Sequence, residues 1–256
     1  MNDEWTGAQA APAQAQSSDR IRSYVTWNAG DLAKGIIGAL ALLFVLGTIA
    51  QVLVTNDYGE ESPEAYFASF LATISWDIGF VILVIALVAQ KGAGLYNLGF
   101  RKSEMPASSI AAWVIGGYFL LYGSVAVYNV IVTVLGLEFL EPSEQLPENV
   151  FDSTAVVAIA GVAIVLAAPI AEEVFFRGFL FPGLLRYIPM LPSALASGAI
   201  FSLAHGNIGL IIPFSIVGAI LAWLYVKTNS LLTPILVHLL FNLTSFSILV
   251  LVPEAR

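Results

Sequence analysis

The sequence predicts an all-α fold: a polytopic bundle of about seven membrane-spanning helices, or eight if a half-span or re-entrant segment is counted separately. Three observations predict it. The 256 residues are 58% hydrophobic and only 11% charged, with a mean hydropathy of +0.85, far from an ordinary soluble domain. Long apolar runs alternate with short polar breaks, and about 20 apolar residues are enough for a helix to cross a bilayer. The runs lack the alternation of a membrane β-barrel, which leaves helices as the way to satisfy backbone polar groups inside hydrocarbon.

Residues 1–30, "MNDEWTGAQAAPAQAQSSDRIRSYVTWNAG", are polar and contain no apolar run, so they read as a disordered cytoplasmic arm. An acidic start and a first apolar run near Gly35 do not fit a cleavable signal peptide. Residues 21–34 are expected at the membrane surface. The transmembrane domain then occupies 31–256, with spans at roughly 35–54, 66–90, 110–135, 154–180, 191–205, 208–226 and 231–252. The fifth is short, and the last three follow one another closely.

Basic residues near span ends orient the chain in the cytoplasmic membrane, because Lys and Arg are retained on the cytoplasmic side. Arg20, Arg22 and Lys34 precede the first span, Lys91, Arg101 and Lys102 follow the second, Arg186 the fourth and Lys227 the sixth. Loops 55–65 and 136–153 contain no Lys or Arg. The expectation is a cytoplasmic amino terminus and, with seven spans, an external carboxyl terminus, against which only Arg256 argues.

The absence of cysteine excludes disulfides, thiolate metal sites and a cysteine nucleophile. The formal charge of -8 says little about partners, since the acids lie mainly in the amino-terminal arm and two loops. No nucleic-acid partner is expected; the bilayer is one partner by composition.

Within this apolar chain the stretch "IVLAAPIAEEVFFRGFLF", residues 164–181, sets three charges in a helix. An ionised side chain near the bilayer centre costs about 2.5–3.5 kcal/mol on insertion scales, so these groups need partners or an internal cavity. Glu173 and Arg177 are four apart and form an ion pair on one face. Glu172 points about 100° away and has Phe176 as its i+4 neighbour, which leaves it the unpaired carboxylate. Pro169 lacks an N–H and crowds the carbonyl of Val165, so the helix should bend beside the site. Read alone, the Glu and Arg pair could simply knit the bundle together. The two histidines of the chain argue for more: His205 ends the fifth span in "AIFSLAHGN", and His238 lies in the seventh in "TPILVHLLFNLTS". His238 and Asn242 are i and i+4 and share a face. Glu172, Glu173, His205, His238 and Asn242 are expected to converge on one cavity that opens towards the cytoplasm. For that, the fifth span has to be short or tilted, or the next segment has to begin deep in the membrane.

In the order "EEVFFR", "FSLAH" and "HLLFN", these residues resemble the EExxxR, FxxxH and HxxxN motifs of the CPBP family of intramembrane proteases, the CAAX-protease and bacteriocin-processing enzymes also called Abi. "SLLTPILVHLLFN" and "LYNLGFRK" are similar to further stretches of that family. The specific motifs cover 172–242, within a region of 164–245. The resemblance implies an intramembrane endopeptidase, with the type II CAAX prenyl proteases as one branch. It implies Glu172 as the base that activates water, His205 as a residue that holds that water, and His238 with Asn242 as the oxyanion site. Glu173 and Arg177 are then the supporting pair. Amide hydrolysis does need a base beside a water and donors aimed at the developing negative charge. The expected substrate is a peptide or a membrane protein, lipidated or not.

Two histidines and a glutamate are also a common catalytic zinc set, here Glu172, His205 and His238. HExxH is absent, and a metal-free mechanism without a cofactor is preferred because Asn242 on the face of His238 suits an oxyanion. Two other classes also fit the composition. One is a proton-coupled transporter; the other is a catalytically silent immunity or scaffold protein. A carrier should carry paired internal repeats, whereas the polar residues here concentrate in the second half. Asp77 and Asn129 read as structural or cavity-lining groups, and Trp113, Tyr118, Tyr122 and Tyr128 as packing or interface aromatics.

Overall fold

The computed structural model describes residues 13–57, 62–141 and 146–252, with side chains over 17–52 in the first stretch. Among these residues there are only helices and turns. Six helices are long and apolar enough to cross a membrane, and a seventh apolar helix is shorter. The predicted class therefore stands, with one change in the count. We label the main helices α1 (Ala13–Ser23), α2 (Ala29–Asp57), α3 (Pro63–Ala89), α4 (Ala107–Leu135), α5 (Thr154–Leu185), α6 (Met190–Leu203), α7 (Ile211–Thr228) and α8 (Leu232–Leu251).

Local chemistry sets the ends. Ser62 caps α3 by accepting the amide of Ala65 at 3.1 Å, and Pro63 fills the first turn, where no N–H is needed. Gly136 closes α4 in a left-handed conformation, φ 63°, as glycine does at low cost.

The expected fifth span, 191–205, is the exception to the count. As Met190–Leu203 it has 14 residues, about 21 Å at 1.5 Å per residue, against a hydrocarbon core of about 30 Å. It turns at His205 and returns through a 3₁₀ turn, Ile208–Leu210, into α7. Small residues allow this hairpin to close backbone on backbone. A Cβ built at Gly198 would overlap the Ser215 carbonyl, and one at Gly218 would lie 2.6 Å from the Gly198 Cα. The turn thus ends level with Glu172, near the middle of the 32-residue α5, instead of at the far face.

The amino-terminal arm also departs from expectation. Its first 12 residues lie outside the described residues, but from residue 13 onward it is folded. Trp27 is fully buried, stacks on Phe179 with ring centroids 5.6 Å apart, and donates Nε1–H to the Phe179 carbonyl at 3.0 Å. Arg22 donates to the Leu185 carbonyl at 2.6 Å, and Arg186 reaches back to the Trp27 carbonyl at 2.5 Å. Isolated large residues, Ile21, Val25 and Trp27, do this packing, and they form no apolar run that a hydropathy pattern would detect. The main core that receives them is centred on α5, where Val174, Phe175, Phe176, Phe179, Leu180 and Phe181 are buried.

Candidate active site

The site is built on an irregular stretch of α5. Two π-helical segments, Val162–Ala167 and Glu173–Leu180, flank a single α turn that ends at Glu172. Pro169 supplies the physical reason for the first, having no N–H to give and a ring that crowds the preceding turn. In a π turn the acceptor left over is the carbonyl five residues back. That is Ile164, not the Val165 carbonyl expected from α geometry. Asn242 of α8 takes this carbonyl, donating from Nδ2 at 2.8 Å. Because a carbonyl only accepts, the contact fixes which end of the amide faces it, and one N–H of Asn242 is left for other work.

Glu173 turns away from Glu172 into the protein and is fully buried. Its Oε1 accepts from Arg177 Nη1 at 2.6 Å, the ion pair the spacing predicts, and from His238 Nδ1 at 3.0 Å. His238 is 65 positions away, so no local pattern announces this second contact. The Arg177 guanidinium, also fully buried, lies 4.6 Å from the ring centroid of Phe201, a favourable cation–π position.

Both imidazoles are oriented from behind. His205 Nδ1 lies 2.9 Å from the Phe201 carbonyl, which only accepts, so Nδ1 carries the proton. His238 Nδ1 is held in the same way by the Glu173 carboxylate. The two Nε2 atoms then face Glu172, at 3.9 Å from His205 to Oε1 and 3.7 Å from His238 to Oε2. Glu172, His205, His238 and Asn242 all line one cavity of about 510 Å³. Glu173 stands behind its wall and reaches it through His238. A second cavity, about 390 Å³, touches Glu172 and His205 from the side of α2 and α3.

Phe201 is the participant that sequence reasoning left unassigned. Its ring is edge-on to His205, centroids 4.8 Å apart, and to His238, 6.0 Å apart. It is the Phe of "FSLAH", four residues before His205, so the spacing did place it on the same face. Asp77 is buried, and its oxygens have no hydrogen-bond partner among the described residues.

Residues 154–244 match the family described as type II CAAX prenyl endopeptidase Rce1-like. The match falls on the segment that carries the site. Three curated relatives align with the chain. YdiL of Bacillus subtilis (strain 168) is 26% identical over 166 residues, 62% of this chain and 64% of that protein. The protein named "Membrane-embedded CAAX protease MroQ" of Staphylococcus aureus (strain USA300) is 25% identical over 174 residues, 64% of this chain and 70% of that protein. The UPF0177 protein YxdF of Lactococcus lactis subsp. lactis (strain IL1403) is 27% identical over 174 residues, 64% and 88%. The chain spans somewhat less than two thirds of the length of YdiL. No solved structure matches significantly. The matched region begins at the first residue of α5 and ends within α8, so it contains the π-helical turns, the hairpin and every residue of the constellation, while α1–α4 lie outside it.

Proposed function

We propose that the protein is an integral-membrane endopeptidase that hydrolyses a peptide bond near or within the bilayer, using a water activated by Glu172. One observation carries the reading: an unpaired carboxylate faces the Nε2 atoms of two histidines at 3.7 and 3.9 Å, in a cavity that also presents Asn242. Those spacings are too long for direct hydrogen bonds and leave room for a water that donates one hydrogen to Glu172 and the other to an imidazole Nε2.

In the proposed reaction Glu172 takes a proton from that water while the water oxygen attacks the carbonyl carbon. His205 orients the water by accepting its second hydrogen at Nε2, which the Nδ1–H tautomer allows. The oxyanion accepts from the remaining N–H of Asn242, a donor of a kind worth about 2.7–4 kcal/mol. His238 can add a donor from Nε2 only when both of its nitrogens carry protons, with Glu173 then facing the imidazolium. Glu172 finally returns its proton to the leaving amine.

Zinc would use Glu172, His205 and His238, and their outward-tied Nδ1 atoms suit metal-binding histidines. However, tetrahedral bonds of about 2.0–2.1 Å would put ligand atoms about 3.3–3.4 Å apart, closer than the separations seen. Among the described residues no three His, Asp or Glu side chains are grouped to hold a metal ion. Their wider placement supports the metal-free reading.

The name of MroQ supports a protease reading for this chain too, with a peptide or membrane-protein substrate. The distribution of Lys and Arg supports a cytoplasmic amino terminus. A carrier would call for paired broken helices, whereas among the described residues the π-helical breaks lie in α5 alone. The deciding experiment compares new protein termini in membranes of cells that carry wild-type protein or Glu172→Gln. Termini that depend on Glu172 are expected. An undiminished set in the Gln cells would leave the scaffold reading standing.

A further inference from the structure

We infer that the site is open to the extracytoplasmic side of the membrane and closed on the cytoplasmic side, so that its substrate is a polypeptide segment already carried across the bilayer or inserted into it. The inference rests on the hydrolase reading and on the cytoplasmic amino terminus, and it adds where the scissile bond has to be. By helix length Glu172 lies about 20 Å from the cytoplasmic end of α5 and about 27 Å from the other end. Depth alone therefore does not choose a side, but the packing around α5 does.

Among the described residues, the cytoplasmic side of Glu172 is filled. Every residue from Glu173 to Gly183 is buried, and the neighbours press close: a Cβ added at Gly178 would lie 3.0 Å from the Leu98 carbonyl oxygen, and one at Gly183 would lie 2.6 Å from the Leu32 side chain. Arg101, itself buried, ties this floor together. It donates to the carbonyls of Tyr96 and Asn229 at 2.8 and 2.9 Å and to the Tyr225 hydroxyl at 3.0 Å, while its guanidinium lies 4.0 Å from the ring centroid of Tyr24. The Leu231 amide adds a bond to the Gly99 carbonyl at 2.8 Å. A polar peptide coming from the cytoplasm would have to break these contacts and then lose its water in an apolar core.

On the other side the packing opens. Over residues 154–172 of α5, exposed, part-buried and buried positions are mixed. The larger cavity runs from Glu172 and Asn242 to Leu249, two residues short of the end of α8, and to Leu146 in the loop between α4 and α5. That loop, 136–153, carries no Lys or Arg, which assigns it to the outside. The re-entrant hairpin is the physical reason for the opening. Because α6 and α7 meet at the level of Glu172, neither helix fills the layer beyond it, and Phe70 of α3, Ala168 of α5 and Phe246 of α8 line the space there. The smaller cavity is no second path for water, since it meets hydrocarbon at the exposed Leu40 and Leu43 of α2. The opening is thus opposite to the cytoplasmic one that the sequence predicts. Water and the polar flank of the substrate arrive from outside, a cytoplasmic tail has no aqueous path to Glu172, and a translocation or membrane-insertion step has to supply the substrate.

The absence of cysteine from the chain makes the test direct. Two single-cysteine variants of the full-length protein are used: Ala168→Cys, in the larger cavity one helical turn before Glu172, and Lys102→Cys, exposed on the loop after α3. Each is treated with a sulfonated, membrane-impermeant maleimide in right-side-out and in inverted membrane vesicles. Ala168→Cys should be labelled in right-side-out vesicles and lose that labelling in inverted ones, with Lys102→Cys showing the reverse. In cells, the new protein termini that depend on Glu172 are then mapped onto the topology of their parent proteins, and should fall in external segments or in the outer half of spans. Labelling of Ala168→Cys from the cytoplasmic side, or from neither side, would overturn the opening and leave the hydrolase reading intact. Labelling of Lys102→Cys from outside would reverse the orientation and overturn the inference with it. Glu172-dependent termini confined to cytoplasmic tails would overturn the substrate class while keeping the hydrolase. The absence of any Glu172-dependent terminus would remove the hydrolase reading and its substrate together, whatever the labelling shows.

Discussion

Exchanging Glu173 for Gln should destabilise the protein far more than the same exchange at Glu172, its neighbour. Glu173 and Arg177 are both fully buried, 2.6 Å apart, and two further nitrogens of Arg177, Nε and Nη2, have no hydrogen-bond partner among the described residues. Removing the carboxylate charge leaves a buried guanidinium with Phe201 as its main support. Breaking a buried pair in this way typically costs about 3–5 kcal/mol. At roughly 2–4 °C per kcal/mol for a chain of 150–250 residues, Tm should fall by about 10 °C. Among the described residues Glu172 has no direct hydrogen-bond partner, and its side chain is 16% exposed, so Glu172→Gln should shift Tm by no more than about 2 °C. The assay is thermal unfolding of both variants in one detergent, followed by size-exclusion chromatography. A rescue arm separates charge from packing. Arg177→Met in the Glu173→Gln background should recover much of the loss, because replacing both members of a buried pair is often close to neutral. Equal Tm values for the two Gln variants, or no recovery in the double variant, would refute the division of roles between these glutamates.

The charges in α5 were legible because burial in an apolar segment is expensive, and spacing alone assigned Arg177 to Glu173 and left Glu172 unpaired. The face shared by His238 and Asn242 follows from the same periodicity. What a single sequence could not supply was contact between helices. Nothing local places His238 on Glu173, and nothing local makes Asn242 the partner of the Ile164 carbonyl, although Pro169 did announce that some carbonyl would be left over. The depth of His205 shows the other limit. Hydropathy sees an apolar run at 191–205 and cannot tell a span from half a hairpin; the close approach of Gly198 and Gly218 is what lets α6 turn back at the level of Glu172. Trp27 was missed for the opposite reason, since a single large residue in a polar segment makes no pattern until Phe179 is seen beneath it.

Three other outcomes can be checked directly. Gly218→Ala should lower Tm by several degrees, since the new Cβ would meet backbone at 2.6 Å as well as Arg177 Nη2 at 3.1 Å, and such overpacking costs about 1–3 kcal/mol; an unchanged Tm would show that α6 and α7 can part without loss. Elemental analysis of purified, active protein should find zinc well below one atom per chain, and stoichiometric zinc would revive the metal mechanism. The third outcome concerns Asn242, which the structure gives two tasks. Asn242→Ala removes the donor to the Ile164 carbonyl, and an acceptor left unsatisfied in the interior costs about 1–3 kcal/mol, so Tm should fall. It also removes the second N–H, which acts only once negative charge has formed on the substrate. The kinetic loss should therefore appear as a fall of about 100–1,000-fold in kcat with little change in KM. A lower Tm with normal kcat would make Asn242 a brace for the Pro169 break and nothing more, and the oxyanion would then need another donor.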